Sequence, residues 1–175
     1  MSIKTIFLDR DGVINKEISY LSKVTDFQFI TGVFEACQYF QLLGYKIIIV
    51  TNQSGISRGY FTENDFTNIS NWMITEFKKN NIQILDIFHC PHDSESNCDC
   101  RKPKPGMFFE AKNKYNINML KSWMIGDSER DIVAANSAGI KNTILVRSGH
   151  KINEKKSSAL FFLDTIIESN KVILK

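Results

Sequence analysis

Four places in this chain carry side chains whose types and spacing could do phosphate chemistry. Asp9 and Asp11 follow the apolar run at residues 3–8 directly and precede Gly12. A short apolar run bounded by turn residues reads as a buried strand. Side chains alternate along a strand, so Asp9 and Asp11 are expected on one side of it and Arg10 on the other. Two acids at the mouth of a buried strand repel each other and lose hydration, so a cation or a proton must compensate. A solvated turn is the plain alternative for these residues alone. Thr51, Asn52, Gln53, Ser54 and Gly55 follow the β-branched run at 46–50, and their hydroxyls, amides and glycine suit an oxyanion or a polar capped loop. Lys102 stands in Arg101-Lys102-Pro103-Lys104-Pro105, where two prolines stiffen a basic turn. Asp127 ends the run 123–126, with Asp131 four residues on. Asp131 reads equally as a helix-capping acid and as a residue behind a metal ligand. Three acids suit one hard, oxygen-seeking cation such as Mg²⁺. A hydroxyl and an ammonium suit a phosphoryl group, and together these groups point to phosphoryl transfer through a carboxylate nucleophile.

A second constellation is Cys90, His92, Cys98 and Cys100, three thiols and an imidazole spaced C-x-H-x5-C-x-C. That is a full tetrahedral set for Zn²⁺ with no open position, the pattern of a structural ion. Free zinc-finger peptides gain roughly 10–16 kcal/mol from their metal, enough to order a polar loop that has no core. Three unrelated thiols, or a redox pair at Cys98 and Cys100, are the alternatives. His89 points to the other side of its strand and is left out. Cys37 lies on an apolar helix face and reads as a core thiol.

The elements that must position these groups alternate strand with helix, the signature of a parallel α/β sheet. Helical spacing joins Val33, Ala36, Cys37, Phe40 and Leu43, with Gly44 at the C-terminal cap position. Thr62 reads as an N-cap for the stripe Phe66, Ile69, Met73 and Phe77. Strands are expected at 3–8, 46–50, 84–88, 123–125 and 143–146, and at 161–163 before a short closing helix. Pro105 is expected to open the next helix, and Ser128 to cap the one holding Ile132, Ala135 and Ala138. His150 reads as a surface loop residue.

The 175 residues suffice for a single domain over 1–175 with a sizeable core, to which thirteen Phe contribute. A net charge of +3 suits a small anionic substrate and is too weak for nucleic acid. No apolar run approaches membrane-spanning length, and no signal peptide is visible, so a cytoplasmic location without membrane association is expected. The cysteines are then thiols or metal ligands rather than disulfides.

In their order along the chain, Asp9-x-Asp11, Thr51, Lys102 and Gly126-Asp127-x-x-x-Asp131 resemble the four motifs of the haloacid dehalogenase (HAD) superfamily of phosphatases. The stretches 7–15, 51–61 and 98–107, with the four zinc donors, narrow the likeness to the D-glycero-D-manno-heptose 1,7-bisphosphate 7-phosphatase family. The resemblance covers nearly the whole chain. It implies a three-layer Rossmann-like fold with a central, mainly parallel sheet, a minimal cap and a zinc-binding loop. It also implies a monomer acting on a small phosphorylated sugar in ADP-heptose and lipopolysaccharide core biosynthesis. By resemblance, Asp9 is the nucleophile and Asp11 the general acid and base. Mg²⁺ is held by Asp9, the Asp11 backbone carbonyl and Asp127. Thr51 and Lys102 hold the phosphoryl group, Arg101 reads the rest of the substrate, and Tyr20 and residues 52–54 touch it.

Two departures bear on the substrate. Only five residues separate His92 from Cys98, an interval similar to that of histidinol-phosphate phosphatases, and Ser128 stands where some family members have a lysine. The motifs at 53–59 and 104–107 favour the heptose substrate over histidinol phosphate. A phosphoacceptor signalling module also uses acids, Thr and Lys at strand ends, but it has no need of a general acid such as Asp11 or of a zinc loop. A zinc-containing nucleic-acid binder needs a basic, aromatic surface, whereas Asp93, Glu95 and Asp99 surround these cysteines.

Overall fold

A computed structural model describes residues 2–174. Its sheet has six parallel strands in the order β3-β2-β1-β4-β5-β6. They are β1 (Thr5–Leu8), β2 (Lys46–Asn52), β3 (Ile84–Cys90), β4 (Trp123–Gly126), β5 (Asn142–Val146) and β6 (Phe161–Leu163). The helices are α1 (Val33–Leu42), α2 (Glu63–Lys79), α3 (Gly106–Tyr115) and α4 (Glu129–Ser137).

Strand alternation sorts the apolar residues onto two faces. Ile6, Leu8, Ile47 and Ile49 pack with α1, α2 and the C-terminal turn Ile166–Lys171. Phe7, Ile48 and Val50 pack on the other face with Met107, Phe108 and Ala111 of α3 and Ala134, Ala135 and Ala138 of α4. With both faces covered, the central strands read as unbroken apolar runs. The three-layer parallel architecture expected from the sequence is present. No helix among the described residues is long and apolar enough to cross a membrane.

The helix starts follow local chemistry. Thr62 and Asp65 make a reciprocal capping box on α2, and Ser128 and Asp131 make one on α4. Gly44 follows α1 at φ 80°, a left-handed position that glycine adopts without a Cβ clash. Several boundaries differ from expectation, β2 reaching Asn52 among them. β1 begins at Thr5, because Ile3 forms an isolated bridge with Ile117. Pro105 precedes the first residue of α3 rather than occupying it. β3 runs on to Cys90, where Thr51 pairs with His89 and Asn52 with Cys90. That extension sets the first thiol of the metal-type cluster beside the end of β2.

β1 lies between β2 and β4: the chain runs outward from β1 through β2 to β3, then crosses back to β4 on the other side of β1. Ligands of open α/β sheets bind in the crevice made at such a switch point, outside the carboxyl ends of the strands. Phe77 is completely buried beneath this scaffold, with Phe34 and Phe29 ring centroids 5.3 and 5.8 Å away. Phe77→Ala is expected to lower unfolding free energy by about 3–5 kcal/mol. Denaturant melts check this, and turnover per folded molecule should stay unchanged.

Candidate active site

A cleft of about 300 Å³ opens over the carboxyl ends of β1, β2 and β4. The Asp9 backbone N–H donates to the Ile125 carbonyl at 3.0 Å, carrying the β1–β4 pairing one residue past the strand. Asp9 and Asp127 are thereby set side by side, and with Asp131 they can present oxygens within 4.8 Å of one another.

Lys102 makes that convergence of acids tolerable. Its side chain is 2% exposed, and its ammonium reaches Asp131 Oδ1 at 2.6 Å and Asp9 Oδ1 at 3.0 Å. It also donates to the Val50 carbonyl at 2.8 Å. Three acceptors match the three N–H bonds of an ammonium. The Asn52 side-chain amide fixes the loop behind it: Oδ1 accepts from the Lys102 N–H at 3.1 Å, and Nδ2 donates to the Lys102 carbonyl at 3.0 Å. Asn52 thus spends its amide on Lys102 while still lining the cleft. Asp131 combines both sequence readings, because Oδ2 accepts from the Ser128 N–H at 3.1 Å while Oδ1 meets Lys102.

Asp9 Oδ1 also accepts from the Arg10 N–H at 2.7 Å, which leaves Oδ2 without a protein donor among the described residues. Burial pushes the Asp9 carboxyl up to about 6; Lys102 opposes this, while Asp131 and Asp11 add to it. Asp127 is completely buried, and its carboxyl is raised by burial and by Asp9, against hydrogen bonds from His150. Its Oδ1 has no hydrogen-bond partner among the described residues. A buried carboxylate oxygen without a donor is costly, and together with Asp9 Oδ2 it fits a hard cation of Mg²⁺ type.

The space around Asp127 is closed by backbone. A Cβ built on Gly149 would meet Asp127 Oδ2 at 1.9 Å, and one on Gly12 would meet it at 2.2 Å. The same oxygen accepts from the His150 N–H at 2.9 Å and lies 2.6 Å from His150 Nδ1. His150 is an exposed loop residue, as expected, and it also lines the cleft. It follows β5, and the carboxyl-end rule for parallel sheets was the sequence signal for it. Arg10 departs from expectation. Strand pairing of β1 ends at Leu8, so alternation no longer governs Arg10, and a turn in which Ile14 N–H donates to the Arg10 carbonyl at 2.8 Å takes over. Its guanidinium is 1% exposed and lies on Asp11.

Thr51 and Gln53 are buried at the end of β2. Gln53 Nε2 donates to Thr51 Oγ1 and to Asp11 Oδ2, both at 2.9 Å. Ser54, Arg101 and Tyr20 stand on the cleft wall, joined by Arg58 and Arg130, which the sequence reading did not single out. Tyr20 packs edge-on against Tyr60 at 4.4 Å. Arg101 Nη1 donates to the His92 carbonyl at 2.9 Å, tying the rim to the cysteine loop.

In that loop, Cys90, His92, Cys98 and Cys100 each offer a donor atom within 4.8 Å of the others. Cys90 Sγ lies 3.7 Å from Cys98 Sγ, 3.0 Å from Cys100 Sγ and 3.5 Å from His92 Nδ1. Ligands about 2.3 Å from a tetrahedral zinc stand roughly 3.8 Å apart, whereas a disulfide needs ~2 Å. The donor set and its spacing fit zinc.

A parallel sheet with paired acids, a hydroxyl and a buried lysine at its switch point defines a HAD-type phosphoric monoester hydrolase. The HAD-like hydrolase family model Hydrolase_like matches residues 99–169. A D-glycero-beta-D-manno-heptose-1,7-bisphosphate 7-phosphatase of Vibrio cholerae is 46% identical over 95% of this chain and 94% of its own length. A D-glycero-alpha-D-manno-heptose-1,7-bisphosphate 7-phosphatase of Campylobacter jejuni is 46% identical over 93% of this chain and 90% of its own. The crystal structure of a D,D-heptose 1,7-bisphosphate phosphatase from B. bronchiseptica, complexed with magnesium and phosphate, superposes with a TM-score of 0.84 at 28% identity over 97% of each chain. The chain belongs to the D-glycero-D-manno-heptose-1,7-bisphosphate 7-phosphatase family.

Without metal, the raised carboxyl of Asp9 makes stability pH-dependent. Its folded value of about 6 lies above the ordinary 3.8, so the native state binds the extra proton between them. This contribution is fully present below about pH 4 and is lost as pH rises through about 6. Metal-free protein should therefore lose on the order of 1–3 kcal/mol across this window, and Asp9→Asn should flatten the slope. Melting curves from pH 4.5 to 7.5, with and without Mg²⁺, check this; Mg²⁺ should stabilise more at the high end.

Proposed function

We propose that this chain removes the C7 phosphate of D-glycero-D-manno-heptose 1,7-bisphosphate through an aspartyl phosphate on Asp9. The observation that carries the reading is 46% identity to the Vibrio enzyme over 95% of the chain, with the Asp9–Lys102–Asp131 ion-pair network intact. The Asp9 carboxylate attacks phosphorus, held in place by Lys102. Asp11 gives its proton to the departing sugar oxygen, then takes one from the water that opens the aspartyl phosphate. Thr51 binds a transferring oxygen, and Lys102, whose three N–H bonds are taken in the free site, offers its positive charge and exchanges one of those acceptors for a second. Mg²⁺, when held by Asp9, the Asp11 carbonyl and Asp127, neutralises charge on those oxygens. Arg101, Tyr20 and the 52–54 segment face the remainder of the substrate, although the Asn52 amide is committed to Lys102. The short His92–Cys98 interval is similar to that of histidinol-phosphate phosphatases, but relatives matched over nearly their whole length are named for heptose bisphosphate and support that substrate.

The same proposal gives Cys90, His92, Cys98 and Cys100 a structural Zn²⁺ that rigidifies the loop behind Arg101 and Lys102. It describes one domain over 1–175, monomeric and cytoplasmic, without nucleic-acid partners, working in ADP-heptose and lipopolysaccharide core biosynthesis. None of the four cysteines is disulfide-bonded.

Phosphate release with Mg²⁺ from both heptose bisphosphate anomers and from histidinol phosphate tests the reaction. Fast release is expected from a heptose bisphosphate, and Asp9→Asn should lose at least about 10³-fold in kcat without losing its fold. Near-normal turnover in that variant would end the mechanism. Metal analysis of freshly purified protein is expected to find about one zinc per chain. Strong chelation should lower the melting temperature along with activity, and zinc-free protein with full activity would overturn the structural ion.

A further inference from the structure

The Asp11 carboxylate is gripped on both oxygens. Arg10 Nη2 lies 3.0 Å from each oxygen, and Arg10 Nε lies 3.3 Å from Oδ1 and 3.2 Å from Oδ2. Asn15 Nδ2 donates to Oδ1 at 2.9 Å, and Gln53 Nε2 donates to Oδ2 at 2.9 Å. A carboxylate has about four lone-pair sites, and these donors occupy them.

An arginine 1% exposed is expensive to bury, and a buried ion pair is often no more stabilising than apolar packing of the same volume. A structural pair would be expected to join separate elements. Arg10 and Asp11 are sequence neighbours, so their contact ties nothing together. Its mechanical effect is to fix the rotamer of Asp11. Phe66 of α2, with its ring centroid 5.8 Å from the guanidinium carbon, backs Arg10 from behind. Gln53 is 4% exposed and spends both amide hydrogens, one on Asp11 and one on Thr51. Because Thr51 Oγ1 accepts from Gln53, its own proton must point elsewhere, and the cleft is the open direction.

We propose that Arg10 and Gln53 are positioning residues for the proton-transfer and phosphoryl-binding groups. Arg10 fixes the Asp11 carboxyl against the leaving oxygen, and Gln53 couples that carboxyl to the Thr51 hydroxyl. A proton enters Asp11 only when one donor lets go. Gln53 Nε2 and Asn15 Nδ2 each have a second acceptor, the Thr51 hydroxyl and the Lys16 carbonyl, so either can release the carboxyl while Arg10 keeps its grip. In the first half-reaction, the bond from Asp9 to phosphorus forms, the bond from phosphorus to the sugar oxygen breaks, and that oxygen takes the Asp11 proton. In the second, water oxygen bonds to phosphorus, the bond from phosphorus to the Asp9 carboxylate oxygen breaks, and the water proton returns to Asp11. The net change is hydrolysis of one ester, with Asp11 restored.

The inference rests on the phosphatase reading and is tested by leaving-group dependence. An alkyl leaving group needs its proton, whereas p-nitrophenolate departs without one. Arg10→Met and Gln53→Met should slow phosphoenzyme formation from the sugar phosphate by about 10²-fold, the low end of what acid catalysis contributes. KM should change little for Arg10→Met, and the nitrophenolate burst should fall less than tenfold in both variants. Arg10→Lys keeps the charge without the fork and should restore part of the loss. Equal losses on both substrates, or none, in variants that melt like the parent would overturn the proposal. If Arg10→Met does not fold, Arg10→Lys and Gln53→Met decide it by the same ratio. Should the parent protein ignore heptose bisphosphate, the substrate reading fails separately, and any alkyl phosphate it does hydrolyse serves for the comparison.

Discussion

The site depends on one buried ammonium. Asp9, Asp127 and Asp131 can bring oxygens within 4.8 Å of one another, a density of negative charge that a low-dielectric crevice does not tolerate alone. Lys102 reaches two of these acids and a β2 carbonyl, and is saturated by them. It leaves one oxygen of Asp9 and one of Asp127 without a protein donor among the described residues, the two places where a divalent cation fits. Burial still wins over Lys102 at Asp9, since its carboxyl stands raised rather than lowered.

Everything around Lys102 serves to hold it there. Asn52, at the last position of β2, grips both backbone polar groups of Lys102. Asn52 in turn pairs in register with Cys90, the first donor of the cysteine–histidine cluster. Arg101 bonds back to the His92 carbonyl within that cluster. The loop between β3 and α3 has few apolar side chains of its own, so cross-linking by a metal is a physically economical way to keep a buried lysine from leaving its pocket. Charge is also layered in the cleft: the acids lie at the bottom, and Arg58, Arg101 and Arg130 line the wall. That gradient suits a substrate with one phosphate at the reacting end and a second anionic group farther out.

Much of this was legible in residue order. The apolar runs gave the strands, because a strand covered on both faces must be apolar throughout. Thr62 and Ser128 marked helix starts through local hydrogen bonds that need no tertiary partner. The acids, Thr51, Lys102 and the cysteine–histidine set could be picked out by type and spacing. Arg10, His150 and the commitment of the Asn52 amide could not. Alternation misled at Arg10 because strand geometry stops at Leu8, one residue before the chemistry begins. His150 lies 23 residues beyond Asp127, and its nearness follows from β4 and β5 being neighbours in the sheet.

The sequence by itself determined the fold class, the two clusters of chemistry-bearing residues and the elements that carry them. These are local properties: hydrophobic period, cap chemistry and ligand spacing are all written within a few residues. The tertiary structure alone decided which donor meets which carboxylate. Lys102 could have stayed in a solvated basic turn, and Arg10 could have faced solvent. Their placement depends on strand order, on a turn at residues 10–15 and on glycines at 12 and 149 that let backbone close over Asp127. Such contacts join residues far apart in the chain, and the balance between desolvation and pairing that fixes them exists only after the sheet has formed.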